Sequence, residues 1–200
     1  MEVAIILGVI LLAYFLGSLT PGLWVARWYG VDIQKVGSGN IGSTNVYRVL
    51  GFWPGLLVQV VDIVKALIPA LLAQRLNFSS WTQYSVVTAA VIGHVYPIWA
   101  GFRGGKGVNT LLGGMLPISP LTTLAALGTF LIVLALFRIV SLSSLVAIAS
   151  FLVWHAKVGS GEPSGYLFGV FWTLGVVYTH RQNLQRLWAG TEPRIGTRTH

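Results

Sequence analysis

The sequence predicts an all-α integral membrane protein: a bundle of about seven transmembrane helices, the fourth short, with cytoplasmic glycine-rich loops. Three observations predict it. Of the 200 residues, 54% are hydrophobic and only 9% charged, far below the roughly 25% charged residues of a soluble domain. Several apolar runs reach the roughly 18–20 residues that a bilayer core requires. The polar, glycine-rich residues gather in three stretches, at 25–53, 101–108 and 180–200. The length makes one domain the default, so 1–200 is read as a single polytopic domain.

The first apolar segment covers 3–23. It carries Glu2 and no basic leader region, and its run from Val3 to Leu19 exceeds the apolar part of a secretory signal, so it is read as a span. The second opens at Pro54, a good first-turn residue, and runs to 76. The third covers 81–100. The fourth, Val108 to Leu116, is too short to cross unaided and ends at Pro117-Ile118-Ser119-Pro120. The last three cover 120–137, 140–157 and 164–179. If all seven cross with the N-terminus outside, Arg27, Lys35, Arg48, Arg103, Lys106, Arg138, Arg181, Arg186, Arg194 and Arg198 fall inside. Only Arg75 and Lys157 fall outside, which is the positive-inside bias. If the short fourth segment did not cross, that bias would collapse. The charge rule therefore argues that it crosses and puts all three polar stretches on the cytoplasmic face.

Several chemistries drop out. There are no cysteines, which removes thiol catalysis, disulfides and Cys-ligated metals. Five acidic residues scattered along the chain argue against a metal site. The net charge of +8 suits an anionic leaflet and anionic ligands. The cations are not gathered in one polar domain, which argues against nucleic acid. No Gly-x-Ser-x-Gly elbow and no His-Glu-x-x-His helix occur. The His-x-x-x-x-Asp signature of other glycerolipid acyltransferases is also absent, since Trp99, Ser160 and Gln185 follow His94, His155 and His180 at that spacing.

The first polar stretch holds Gly37-Ser38-Gly39-Asn40-Ile41-Gly42-Ser43-Thr44-Asn45-Val46-Tyr47-Arg48. Consecutive N–H groups in such a loop can form an anion nest, and Arg48 can grip a phosphate bidentately. An ordinary solvated turn is the plainer alternative. The second stretch, Gly101-Phe102-Arg103-Gly104-Gly105-Lys106-Gly107, looks like a nucleotide loop. It has one residue too few before Gly105-Lys106, Gly107 replaces the hydroxyl, and no strand precedes it. What survives is an anion site of glycine N–H groups and Lys106 at a helix start, against a tight basic turn. In the third stretch His180 and Asn183 are three apart and share a helix face, or else the segment is a basic juxtamembrane helix. Asp62 and Lys65, three apart in the second apolar run, read as a buried ion pair or a functional one. His94 and His155 read as isolated structural residues.

Taken in order, these motifs resemble the bacterial membrane acyl-phosphate:glycerol-3-phosphate acyltransferases along nearly the whole chain. The resemblance runs from Ala13-Tyr14-Phe15-Leu16-Gly17-Ser18 through the 37–48 stretch and Asp62-x-x-Lys65. It continues in Gly93-His94-x-x-Pro97 with Phe102-Arg103-Gly104-Gly105-Lys106-Gly107-Val108, and in His180-Arg181-x-Asn183-x-x-Arg186-Leu187-x-x-Gly190-x-Glu192. Arg103 stands where lysine is common and Asn109 where a small residue is common.

The resemblance implies transfer of an acyl group from acyl phosphate to the sn-1 hydroxyl of glycerol 3-phosphate. The products would be lysophosphatidic acid and phosphate, in the first step of bacterial phospholipid synthesis. It implies a multi-pass protein of the cytoplasmic (inner) membrane, no cofactor, and a functional link to an acyl-phosphate-forming enzyme. Substrate binding would fall to Asn40, Thr44, Asn45, Arg48, Gly104, Gly105, Lys106, Gly107 and Asn183. Ser38 and His180 would act in catalysis, with Asp62, Lys65 and Glu192 in support. The glycine N–H groups of 104–107 would bind the acyl phosphate head or the oxyanion. Direct attack, with the substrate phosphate assisting, is expected over an acyl-Ser38 intermediate. A small organic-phosphate transporter and a lipid-binding scaffold are the alternatives.

Overall fold

The structure, a computed structural model, describes residues 2–196. Arg198, counted above among the tail cations, lies outside the described residues. Among the described residues every regular element is helical. They form two compact units, divided in sequence between Ile118 and Ser119.

The first unit holds α1 (Glu2–Gly17), α2 (Pro21–Trp28), α3 (Ser43–Leu50), α4 (Phe52–Arg75), α5 (Ser80–Val95) and α6 (Val108–Ile118). A single 3₁₀ turn, Ile98–Ala100, precedes the glycine-rich loop. The expected first segment is split here. Pro21 lacks an N–H and pushes Thr20 out of helical geometry (φ −117°, ψ 69°), so α1 stops and α2 starts with proline in its first turn. The expected polar stretch 25–53 is likewise not all loop, since the end of α2 and all of α3 lie within it.

The second unit holds α7 (Pro120–Phe137), α8 (Val140–Val158), α9 (Pro163–Thr179) and α10 (Arg181–Trp188). Proline occupies the first turn of α7 and of α9. Arg138 takes a left-handed conformation (φ 59°) where α7 ends. The segment after α10 folds back, with the Ile195 N–H donating to the Arg138 carbonyl at 2.7 Å.

Four stretches are long and apolar enough to cross a bilayer: Glu2–Trp28, Phe52–Arg75, Pro120–Phe137 and Val140–Val158. α5, α6 and α9 are shorter, at 16, 11 and 17 residues. In α7 the buried residues are Thr122 and Thr123, whereas Leu121, Leu124, Leu131, Ile132 and Leu136 point outward. That is the reverse of a water-soluble helix and suits a hydrocarbon solvent.

Lipid supplies no hydrophobic force between helices, so close packing by small residues must hold them. α1 and α5 meet through glycines: a methyl group on Gly17 would sit 2.0 Å from the Ala90 carbonyl oxygen, and one on Gly93 2.2 Å from that of Tyr14. Ala13, Ala66, Ala73 and Ala90 fill the core beside them and are fully buried. Gly113 brings α6 equally close to the α4 backbone at Ile63. Gly17→Ala should therefore force α1 off α5 and destabilise the protein by about 1–3 kcal/mol. Gly8→Ala, in the same helix with open space around it, should leave the detergent melting curve unchanged.

Candidate active site

The first polar stretch is organised around one side chain. Asn45, on α3, is buried, and its amide nitrogen donates to the Ile33 and Val36 carbonyls at 3.2 and 3.0 Å. Its amide oxygen accepts the Ser38 N–H at 2.8 Å. Gly37 (φ +60°) lies so close that a side chain there would strike this oxygen. Asn45 therefore sets the Ser38 loop instead of facing outward. Asn40 does the same locally, accepting the Gly42 N–H at 2.9 Å and turning the chain into α3. Thr44 and Arg48, four apart on α3, share its exposed face, where they can meet a soluble ligand.

The second stretch folds back onto the end of α5. The Gly104 N–H donates to the Val95 carbonyl at 3.1 Å, and the Gly105 N–H to the His94 carbonyl at 3.0 Å. This corrects the expected cradle of glycine N–H groups, because two of its donors are engaged within the fold. These glycines serve close approach: side chains on them would lie 2.0 Å from the His94 carbonyl oxygen and 2.1 Å from His94 Nε2. Gly107 has φ +87°, a backbone geometry suited to glycine, just before α6 begins. Lys106 stands half-buried between them. Asn109, one residue into α6, donates to Ser43 Oγ at 2.9 Å and ties this stretch to the start of α3. The first two polar stretches are thus neighbours.

Beneath this loop lies the buried charge of α4. Lys65 Nζ is 2.8 Å from Asp62 Oδ1, and both side chains are almost fully buried. The ammonium also donates to the Leu19 carbonyl at 2.8 Å and contacts His94 Nδ1 at 2.8 Å. The expected ion pair is present, but His94 is no isolated residue. The sequence carried a signal for it: an ammonium has three N–H donors, and a single carboxylate on its own helix rarely satisfies them all when buried.

In the second unit, His180 sits between α9 and α10 and is buried. Its Nδ1 lies 2.9 Å from the Val176 carbonyl. A carbonyl only accepts, so Nδ1 carries a proton and donates to it. Asn183, three residues on, donates to Glu192 Oε1, and Arg186 Nε donates to Glu192 Oε2 at 2.7 Å. Ser141 Oγ donates to Glu192 Oε1 at 2.7 Å, a partner that nothing in the sequence indicated. Burial alone would raise the pKa of Glu192, but the hydrogen bonds from Asn183, Ser141 and Arg186 outweigh it and hold the carboxyl below its ordinary value.

A family model described as glycerol-3-phosphate acyltransferase matches residues 7–190. The chain belongs to this family. Among relatives named glycerol-3-phosphate acyltransferase, that of Synechococcus elongatus is 42% identical, with 96% of each chain covered. Those of Geobacter sulfurreducens and Thermus thermophilus are each 44% identical, covering 92% and 94% of this chain. The fold is similar to crystal structures of PlsY, described as an integral membrane glycerol 3-phosphate acyltransferase. The glycerol 3-phosphate form gives a TM-score of 0.90 at 39% identity, and the lysophosphatidic acid form 0.87 at 38%, with 96% of each chain covered. Family membership and these matches make this chain a multi-pass integral membrane protein with an all-α fold.

The lowered Glu192 pKa fixes a pH dependence. A carboxyl whose folded pKa lies below its unfolded value contributes stability above that unfolded value and loses it as pH falls through the folded one. The melting temperature should thus hold above about pH 5 and decline below the ordinary glutamate value of about 4.3. Glu192→Gln should melt lower at neutral pH and show a shallower acid decline, read by thermal unfolding across pH in one detergent.

Proposed function

We propose that this chain transfers an acyl group from acyl phosphate to the sn-1 hydroxyl of glycerol 3-phosphate, releasing lysophosphatidic acid and inorganic phosphate. One observation carries the reading: its fold is similar at TM-score 0.90 and 0.87 to PlsY solved in forms with a candidate substrate and a candidate product of this reaction. The acyl-phosphate donor is supported by the chemistry of the loops. A mixed anhydride is already activated, so the site must position two phosphates and exclude water, without nucleotide or metal.

In this reading Arg48 and Lys106 hold the phosphate of glycerol 3-phosphate, with Thr44, Asn183 and Ser38 completing its contacts. The hydroxyl oxygen attacks the acyl carbon, the carbon–oxygen bond to phosphate breaks, and inorganic phosphate leaves. The hydroxyl proton passes to His180 Nε2 or to an oxygen of the leaving phosphate. Asn40, Asn45 and the glycines at 104, 105 and 107 shape the loops, while Asp62, Lys65 and Glu192 support them. Residues 1–200 act as one functional domain. The acyl chain stays in the bilayer, and an acyl-phosphate-forming enzyme supplies the donor.

We place the N-terminus outside, with the polar loops and C-terminal segment on the cytoplasmic side of the bacterial inner membrane. The charge distribution supports this, since Arg27, Lys35, Arg48, Arg103 and Lys106 all lie in or beside those loops.

Three measurements test the reading. Purified protein in micelles should form lysophosphatidic acid and release phosphate with acyl phosphate, and form none with acyl-CoA. A transporter would release no phosphate. Lys106→Ala should lower the rate by at least about 100-fold while its melting curve stays near that of the parent; a near-normal rate would remove Lys106 from the phosphate site. Because the chain has no cysteine, Lys35→Cys and Ser160→Cys report sidedness directly. An impermeant thiol reagent should label the former only in inverted vesicles and the latter only in intact cells.

A further inference from the structure

We infer that His94 is a positioning residue for the acyl-transfer site: with Lys65 and Asp62 it forms a buried strut that fixes the backbone of Gly104 to Lys106. The inference rests on the function proposed above.

The strut begins in the middle of α4. Lys65 Nζ has three partners 2.8 Å away: the Leu19 carbonyl and His94 Nδ1 as hydrogen-bond partners and Asp62 Oδ1 as an ion-pair partner. Each partner comes from a different place in the fold. Leu19 lies in the break between α1 and α2, Asp62 one turn earlier on α4, and His94 near the end of α5. The exposures are 2% for Asp62, 3% for Lys65 and 6% for His94, so water does not substitute for any of them.

An ammonium only donates, so while Lys65 carries its charge Nδ1 of His94 accepts at 2.8 Å and the ring proton resides on Nε2, the Asp62 Oδ1 contact to the same nitrogen being longer, at 3.4 Å. Lys65 thereby fixes both the tautomer and the direction of the ring. The Nε2 edge then faces Gly105, where an added methyl group would come within 2.1 Å of it. The main chain of the same residue acts on the same loop, because the His94 carbonyl accepts the Gly105 N–H and its neighbour Val95 accepts that of Gly104. His94 thus grips the loop by ring and backbone together, and the residue after Gly105 is Lys106.

A purely structural ion pair needs only Asp62 and Lys65, which sit three apart on one helix. The third partner adds an acceptor without adding charge, and it is the residue against which the substrate loop is packed. Loss of the ring leaves one ammonium N–H unpaired and opens space under Gly105. A displacement of Lys106 by about 1 Å is enough to cost about 100-fold in rate.

The test compares His94→Leu, which has no acceptor, with His94→Asn, whose amide oxygen can take the place of Nδ1. A triple variant, Asp62→Leu, Lys65→Met and His94→Leu, replaces the whole cluster by apolar side chains, a change that buried charge clusters often tolerate. Each is assayed for kcat and for KM toward glycerol 3-phosphate, beside thermal unfolding and amide hydrogen exchange of the 101–107 segment. His94→Leu should raise KM about tenfold and lower kcat/KM about 100-fold, with exchange at Gly104 and Gly105 at least about tenfold faster. His94→Asn should recover most of each loss. The triple variant, where it melts near the parent, should keep the raised KM. A parental KM and parental exchange in His94→Leu would overturn the strut, as would rate losses in His94→Leu and His94→Asn that only follow the folded fraction. If the parent protein itself makes no lysophosphatidic acid, the functional reading fails instead, and the exchange rates still decide the strut.

Discussion

A charged amine in the middle of a membrane helix constrains much of the first unit. Lys65 cannot be left without partners in an apolar segment, because an unsatisfied buried charge costs more than a typical contact returns. Its three partners tie together the α1–α2 break, α4 and α5. The break at Ser18–Thr20 is itself part of the solution. Only where the helix is interrupted does a carbonyl such as that of Leu19 escape its own helix and accept from elsewhere. Pro21 makes that interruption, so a local sequence feature opens the acceptor that a distant lysine uses.

The glycines answer a second constraint of the same environment. With lipid as solvent, helices gain little by hiding leucine, and α7 leaves Leu131, Ile132 and Leu136 on its surface. Association depends on backbones coming close, and the Gly17–Ala90, Gly93–Tyr14 and Gly113–Ile63 approaches provide that. Gly93 directly precedes His94, so the close α1–α5 packing also fixes the position from which the strut and the glycine loop are built.

Much of this was legible in the sequence. Several helix bounds followed the apolar runs because Pro54, Pro120 and Pro163 lie at or near helix starts, where proline acts through local geometry, whereas the break at Pro21 fell inside a run read as one segment. The ion pair of Asp62 with Lys65 was legible for the same reason, being three residues apart on one helix. What could not be read were contacts set by tertiary packing. His94 looked isolated because its partners lie 29 and 32 residues away in sequence, and only the α4–α5 packing brings them together. Ser141 pairs with Glu192 across 51 residues. The glycine N–H groups looked ready for an anion because sequence shows that donors exist, not where they point. The short helices α2 and α3 were missed because each spans only eight residues, too few for hydrophobic periodicity to register.

The acidic residues bear on where the proton of the attacking hydroxyl goes. Asp32 pairs with Lys35 at 2.9 Å on the surface, and Asp62 is committed to Lys65 inside α4. Glu192 receives Ser141 and Asn183 on one oxygen and Arg186 on the other, and its lowered pKa makes it a poor proton acceptor. Glu2 and Glu162, in the proposed orientation, face the opposite side of the membrane. No carboxylate among these is placed to act as a base. On the proposed reaction, the basic candidates are then the imidazole of His180, whose Nδ1 is tied to the Val176 carbonyl, and the phosphate oxygens of the substrates. Both suit an excess of cations around the loops. On the proposed reaction, that excess also draws the phosphate headgroups of the two substrates toward the loops.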